Sequence, residues 1–361
     1  MHAASGSGSD AAMAGVRRTD DSNAPPRAGL AALSESRDLA AAVASEAGLP
    51  LIPIEERPFE GGEFKLRPLE SVRGRRVFVL QTLAGTEDAP AASRLVRLLF
   101  LLLGLRDAGA ESRVAVVPYF PFARKDRRTQ VRDPVTSRYV AELLEAAHSD
   151  CVMSLDVHNP AAFDNAFRIA TIHLTALPLL AHHFAEAGVI ADAEVVIVSP
   201  DIGGIKRAQI FRELIAARAG REIGLAFIEK RRAKGSVSGG GLAGEVCGRT
   251  VIILDDLCAT GGTLIRAAES CRRAGAAAVH VAVTHAPLAA GLEKLLAAGQ
   301  ITGIAITNSV GIVPPGTTSP SASGKLVTLS VAPLMGQVLR RMITGKPVAP
   351  LLERWPVAPE D

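Results

Sequence analysis

The sequence predicts an α/β protein of two domains, each a mostly parallel sheet flanked by helices. Three observations carry that expectation. Short apolar runs rich in β-branched residues alternate with helical patterns, and such alternation implies parallel sheets covered on both faces. The runs are apolar throughout, as strands buried on both sides are. The same element order recurs in both halves without an evident sequence repeat, and 361 residues suffice for about two ordinary domains.

In order along the chain, residues 1–28 are predicted to be a disordered tail, because Gly, Ser, Ala and Asp dominate up to Pro26. This stretch lacks the long apolar core of a secretory signal. The first domain spans 29–173. Ser36 or Asp38 opens a helix that Gly48 closes. Strands are expected at Val77–Gln81, Val114–Tyr119 and Cys151–Leu155, with helices at Ala91–Ala108 and Thr136–Ala147. The apolar run Leu98–Leu105 is too short to span a bilayer and is flanked by Arg97 and Arg106, so it belongs in a core or a subunit contact.

The second domain spans 174–330. It begins with a helix from Leu174 to Ala187, strand Val195–Ser199, helix Ile205–Ala217 and strand Leu225–Glu229. Strand Val251–Leu254 and helix Thr263–Ala274 follow, then strands Val279–Thr284 and Ile304–Thr307. A closing helix at 331–343 is expected to complete the first domain, leaving 344–361 as a tail.

Apolar residues make up 48% of the chain and aromatics only 4%, so the core is aliphatic. Forty basic against thirty-seven acidic residues argue against a broad nucleic-acid surface and leave local clusters as the informative charges. Cys151, Cys247, Cys258 and Cys271 show no metal-ligand spacing and read as buried, reduced thiols of a cytoplasmic protein without a membrane span.

The most informative segment is Val251–Thr263, VIILDDLCATGGT. A buried strand ends in two acids, then a Thr-Gly-Gly-Thr turn runs into a helix. Gly261 and Gly262 allow positive φ and close approach of a ligand. Backbone N–H groups and the helix dipole then attract an anion, with hydroxyls from Thr260 and Thr263. Asp255 and Asp256 stand at the carboxyl end of the strand, where α/β sheets bind ligands. They can accept bonds from a sugar diol or help hold a hydrated cation. A phosphorylated sugar satisfies both halves of the motif; a packing turn with two solvated acids is the bland reading. The segment lacks the Gly-Lys-Ser/Thr of a P-loop.

Four other clusters stand after strands. Ser199–Gly204 is a second Gly-rich turn, where Asp201 can coordinate a cation. Lys206 and Arg207 follow in the first helical turn, an unfavourable place for cations unless an anion intervenes. In Phe120–Arg128, two aromatics precede Arg124, Lys125, Asp126, Arg127 and Arg128. This suits a nucleobase beside polyphosphate, or simply a solvated basic loop. Lys230, Arg231 and Arg232 enter a Gly/Ser-rich stretch, 233–244, that reads as a mobile cationic lid or a surface hairpin. His158, two residues after Asp156, can ligate Mg²⁺ or orient water, although Mg²⁺ prefers oxygen.

Together these segments resemble the ribose-phosphate diphosphokinases (phosphoribosyl diphosphate synthetases) over about Leu30–Ile343. The carriers are FEGGEFKLRPLESVRG (59–74), PYFPFARKDRR (118–128), DVH (156–158), LTALPLL (174–180), VSPDIGG (198–204), EKRR (229–232) and DDLCATGGT (255–263). The resemblance implies two phosphoribosyltransferase-like domains and transfer of the diphosphoryl group of ATP to the anomeric hydroxyl of ribose 5-phosphate. By position, Asp255, Asp256, Thr260, Gly261, Gly262 and Thr263 would hold ribose 5-phosphate. Lys230 and Arg232 would be catalytic cations, and His158 and Asp201 would lie around Mg²⁺. Phe59, Glu63, Arg124, Lys125 and Asp126 would form the nucleotide pocket, completed by a neighbouring subunit in a homo-oligomer.

Several positions depart from the commonest pattern of that family. Gly61 stands where an acid or Asn is usual, Lys125 where Gln is common, Ala259 where Asp is often found and Val131 where regulated members carry Ser. Two other readings remain at this point: a phosphoribosyltransferase, which leaves the N-terminal motifs unexplained, and a non-catalytic partner of an active synthetase.

Overall fold

The computed structural model describes residues 27–86, 89–191, 194–229, 232–233, 236–237, 241–311 and 324–353. Its first half is a six-stranded, all-parallel sheet in the order β2-β1-β5-β6-β7-β8. The strands are β1 (Ala28–Ala32), β2 (Leu51–Ile52), β5 (Arg76–Leu80), β6 (Ser112–Val117), β7 (Cys151–Leu155) and β8 (Ala170–Leu174). β3 (Ile54–Pro58) and β4 (Phe64–Pro68) form a separate antiparallel hairpin.

The second sheet has seven strands in the order β13-β10-β9-β14-β15-β16-β17. They are β9 (Val195–Ser199), β10 (Gly224–Glu229), β13 (Gly241–Ala243), β14 (Thr250–Leu257), β15 (Ala278–His285), β16 (Gly303–Thr307) and β17 (Leu326–Leu329). Only the edge strand β13 runs antiparallel. β11 (Arg232–Ala233) and β12 (Ser236–Val237) pair as a small ladder between β10 and β13.

Successive residues of each strand face opposite cores. In β5, Phe78 and Leu80 enter the layer under α1 (Arg37–Ala47), while Val77 and Val79 enter the layer under α2 (Ala91–Asp107) and α3 (Thr136–Ala146). The second sheet has α5 (Leu177–Glu186) and α6 (Ile205–Ala219) on one face, α7 (Gly262–Arg273) and α8 (Ala289–Ala297) on the other. α4 (Pro160–Ala166) follows β7, and Asn159 caps it by accepting a bond from the N–H of Ala162 at 3.2 Å. Among the described residues no helix is long and apolar enough to cross a membrane.

The closing helix α9 (Ala332–Thr344) returns to the first half and lies against α1. Leu334, Met335, Val338 and Leu339 are buried with Leu39 and Val43. Gly336 permits that approach, since a Cβ there would stand 2.3 Å from the Cβ of Glu46. Truncating one of the large α9 side chains to Ala would cost about 2–5 kcal/mol.

Several expectations need correction. Ala28, assigned to a disordered tail, is the first residue of β1 and pairs with Arg76, because its strand edge is open to β5. The segment after residue 343 is more than a tail: α10 (Ala349–Glu353) places Leu351 in the first core. The predicted helix from Leu174 begins at Leu177, and Leu174 instead ends β8, which the sequence reading lacked. Cys247 is exposed while the other three thiols are buried. In the Leu98–Leu105 run, Leu98, Leu101, Leu102 and Leu105 face the core, whereas Phe100 is exposed and meets Phe64 of the hairpin at 5.4 Å between ring centroids. Most of the tail lies outside the described residues, as do Lys230 and Arg231.

His285 ends β15 at the junction of the two sheets and is buried. Its Nε2 meets the carbonyl of Leu155 at 3.0 Å and its Nδ1 meets Ser309 Oγ at 2.8 Å. A neutral ring that donates from Nε2 and accepts at Nδ1 fits both. Burial pushes its pKa below the ordinary histidine value, so the folded chain binds fewer protons here than the unfolded one. That stability is full above about pH 6.5 and is lost as pH falls through the folded value. His173, His183 and His280 are pushed the same way by burial. The melting temperature should therefore drop as pH falls below about 6.5, and His285→Gln should flatten part of that slope. Equal slopes in thermal unfolding would remove His285 as a contributor.

Candidate active site

The carboxyl ends of both sheets open on one cleft of about 1170 Å³. The first half contributes Arg124 and Asp126 from the loop after β6 and His158 from the loop after β7. From the second half come Asp201 after β9, the acids Asp255 and Asp256, and the Thr260–Thr263 turn. The sequence reading placed the acids just beyond their strand. β14 in fact continues through both to Leu257, because β15 runs alongside and pairs Asp255 with Val283.

Asp256 is the centre of the site's charge. His158 Nδ1 lies 2.9 Å from its Oδ2 and Arg207 Nη1 donates to its Oδ1 at 2.8 Å. Arg207 also approaches Asp255 Oδ1 at 3.6 Å and donates from Nη2 to the carbonyl of His158 at 3.3 Å. Burial pushes the Asp256 carboxyl upward, but the His158 hydrogen bond and the Arg207 charge outweigh it and hold the group well below the usual carboxylate range. Asp255 moves the other way, raised by burial and by the Asp256 charge. The hydrogen bond to Asp256 raises His158. The two carboxyls are thus pushed in opposite directions, Asp256 down and Asp255 up.

The cradle's shape depends on two glycines. Gly261 caps α7 in the left-handed region at φ 76°, and a Cβ on it would stand 2.8 Å from the carbonyl oxygen of Gly291. A Cβ on Gly291 would come within 2.2 Å of the Ala259 oxygen. The turn is therefore pressed onto α8, leaving Thr260 and Thr263 toward the cleft with Gly262 as the first helical residue. Cys258 is buried behind it, and burial pushes its thiol up to about 11, which suits packing rather than nucleophilic chemistry.

Asp201 accepts a bond from the N–H of Gly204 at 3.2 Å, shaping the turn into α6. Asp126 accepts from Asn159 Nδ2 at 2.6 Å. Lys125 does not join them: its Nζ meets Asp133 at 2.9 Å, which also accepts from Thr129 and Gln130. Those bonds hold the Asp133 carboxyl below its ordinary value. Phe59 and Glu63 also stand apart, in a shallow depression on the β3–β4 hairpin with Arg57. Phe59 is 45% exposed, and the Arg57 guanidinium lies 5.3 Å from its ring. Of the two aromatics expected to face a base, Phe120 is core, packed edge-on to Phe163, while Phe122 is exposed at φ 58°.

Lys230 lies outside the described residues, and Arg232 is described only as the first residue of β11. Sequence reasoning noted Arg207 without its partner. The signal was there: a cation in a first helical turn needs an anion, and Asp256 is that anion. Gly291 carried no such signal.

Two parallel sheets that meet at their carboxyl ends, with a Thr-Gly-Gly-Thr cradle on one and a basic loop on the other, define a two-domain protein of phosphoribosyltransferase type. Residues 28–147 match the family model described as the N-terminal domain of ribose phosphate pyrophosphokinase, and 178–316 match the phosphoribosyl transferase domain. The chain is 32% identical over 327 residues to ribose-phosphate pyrophosphokinase 1 of Streptococcus pneumoniae, covering 90% of this chain and 96% of that protein. It is 35% identical over 325 residues to ribose-phosphate pyrophosphokinase 1 of Lactococcus lactis, covering 90% and 95%. The crystal structure of phosphoribosylpyrophosphate synthetase from Mycobacterium smegmatis superposes with a TM-score of 0.77 at 30% identity, covering 89% of this chain and 100% of that one. The chain belongs to the ribose-phosphate pyrophosphokinase family and is an enzyme.

Proposed function

We propose that the protein transfers the β,γ-diphosphoryl group of ATP to the anomeric hydroxyl of ribose 5-phosphate, giving phosphoribosyl diphosphate and AMP. The observation that carries this reading is the shared cleft. A phosphoribosyltransferase needs only the second half's cradle, whereas here Arg124, Asp126 and His158 of the first half open onto the same space.

The sugar's phosphate sits in the Thr260–Thr263 cradle, held by backbone N–H groups and hydroxyls. Its ring hydroxyls donate to Asp255 and Asp256. Each Asp256 oxygen already accepts one bond from the protein, which leaves one further lone pair on each. The anomeric oxygen bonds to the β-phosphorus as the bond from that phosphorus to the α-bridging oxygen breaks. AMP leaves and the hydroxyl proton is released. Arg124, with Lys230 and Arg232, neutralises charge spread over the transferring oxygens, the main task in such a transfer.

Magnesium suits the donor set. The ion keeps several waters and takes one or two carboxylates with substrate phosphates. Asp201 offers carboxylate oxygens at the cleft wall, and His158, oriented through Nδ1 by Asp256, keeps Nε2 for ligation. Those two residues would hold Mg²⁺, which would supply positive charge to offset that of the phosphates.

The nucleotide site is shared between subunits of a homo-oligomer in this reading. Its support is the separation of exposed Phe59 and Glu63 from Arg124 and Asp126 within one chain. The domain junction falls just after Leu174, between β8 and α5, and the enzyme works in the cytoplasm with reduced thiols.

Incubation with Mg-ATP and ribose 5-phosphate should yield AMP only when the sugar is present. If neither ATP, ADP nor any other nucleoside triphosphate gives a sugar-dependent product, the reading fails.

A further inference from the structure

The backbone just before His158 is held in an unusual way. Asp156 adopts φ 38°, a left-handed conformation rare outside glycine, and is 5% exposed. Such strain persists only where the surroundings over-determine it. They do so here through several backbone groups of the segment and through the Asp156 side chain. The carbonyl of Leu155 accepts from His285 Nε2 at 3.0 Å, and the N–H of Asp156 donates to Leu174 at 2.8 Å. The N–H of Val157 donates to His173 Nε2 at 3.1 Å.

The Asp156 carboxylate joins three parts of the molecule. Thr175 Oγ1 donates to Oδ1 at 2.7 Å, while Oδ2 accepts from the Ala176 N–H at 3.0 Å and from Thr284 Oγ1 at 2.5 Å. These donors sit at the crossing into α5 and on β15 of the second sheet, 128 residues away in the case of Thr284. Two residues on, His158 reaches Asp256 on the neighbouring strand of that same sheet. The two sheets are therefore pinned together one step behind the contact that orients His158.

We propose that Asp156 is a positioning residue: its carboxylate fixes His158 against Asp256 across the sheet junction and touches neither substrate nor metal. Its work is done by hydrogen bonds to internal donors, and its charge is dispensable. An asparagine can reproduce the pattern. Its carbonyl accepts from Ala176 and Thr284, and its amide donates to the Thr175 hydroxyl. An alanine cannot.

This inference rests on the proposed reaction, so the test carries a second readout that needs no turnover. Asp156→Ala should lower kcat by about 10²-fold and raise the Mg²⁺ requirement, because His158 would help hold the ion, with KM for ribose 5-phosphate changing less than kcat. Asp156→Asn should recover both to within about fivefold of the parent. Thr284→Val, which touches Asp156 from the other sheet, should lower kcat by roughly 3–10-fold and add nothing to Asp156→Ala in the double variant. Hydrogen exchange should show the amides of 155–158 opening in Asp156→Ala and in Thr284→Val but not in Asp156→Asn. If Asp156→Ala fails to fold, Thr284→Val and Asp156→Asn decide the matter. An asparagine variant as impaired as alanine, or a loss confined to KM for ribose 5-phosphate, would overturn the proposal. So would a Thr284→Val enzyme with parental kcat and exchange. A parent protein that makes no AMP sinks the reaction, and the exchange pattern still tests the pin.

Discussion

Asp256→Ala is expected to raise the KM for ribose 5-phosphate by roughly 10²-fold and to lower stability by about 3 kcal/mol. Two losses combine. The sugar loses an acceptor whose carboxylate is held firmly ionised by His158 and Arg207. Arg207, itself largely buried, loses its 2.8 Å partner and keeps the 3.6 Å approach to Asp255 as its remaining charged contact, beside the bond to the carbonyl of His158. Breaking one side of a buried pair is far more damaging than never having built it. Asp255→Ala should do less, because its contact with Arg207 is longer. Calorimetric titration with ribose 5-phosphate separates the effects: affinity preserved in Asp256→Ala would withdraw the diol assignment and leave only the structural role.

Lys230→Ala should slow turnover by about 10²-fold or more while changing ribose 5-phosphate affinity only a few-fold. The residue directly follows β10, a neighbour of β9, whose end carries Asp201. In the proposed reaction Lys230 would serve the charge that develops on the transferring oxygens rather than the bound sugar, so its removal should fall on kcat. Single-turnover measurement of AMP formation reads the chemical step itself. A rate equal to the parent's would take Lys230 out of the mechanism and shift the burden to Arg232 and Arg124.

Much of this architecture was legible from local pattern alone. β7 and β9 begin and end where the sequence put them, because short runs of buried residues bounded by polar turns leave little choice. The cradle was legible for the same reason: glycines, hydroxyls and acids occupy consecutive positions. The β3–β4 hairpin was not. Its strands, IEERP and FKLRP, carry three consecutive charges and two alternate ones, and rely on distant help. Arg97 of α2 bonds both Glu35 and Glu56, and Ser34 donates its N–H to Glu56 at 2.7 Å. The pairing of Arg207 with Asp256 spans 49 residues and that of His158 with Asp256 spans 98, so no window of sequence contains either. The nucleotide group read as a unit divides in the structure, because Phe59 and Glu63 belong to that hairpin while Lys125 is claimed by Asp133.

The docking of α9 on α1 has a consequence for how the chain is made. Arg340 reaches back to the carbonyl of Glu46, 294 positions earlier. During translation the stripe formed by Leu39 and Val43 must wait for its cover until α9 emerges, roughly 15–60 s at ordinary elongation speeds. The half encoded later can mature earlier, since every strand of its sheet lies between residues 195 and 329. The stripe on α1 is thus apolar surface left uncovered through most of synthesis.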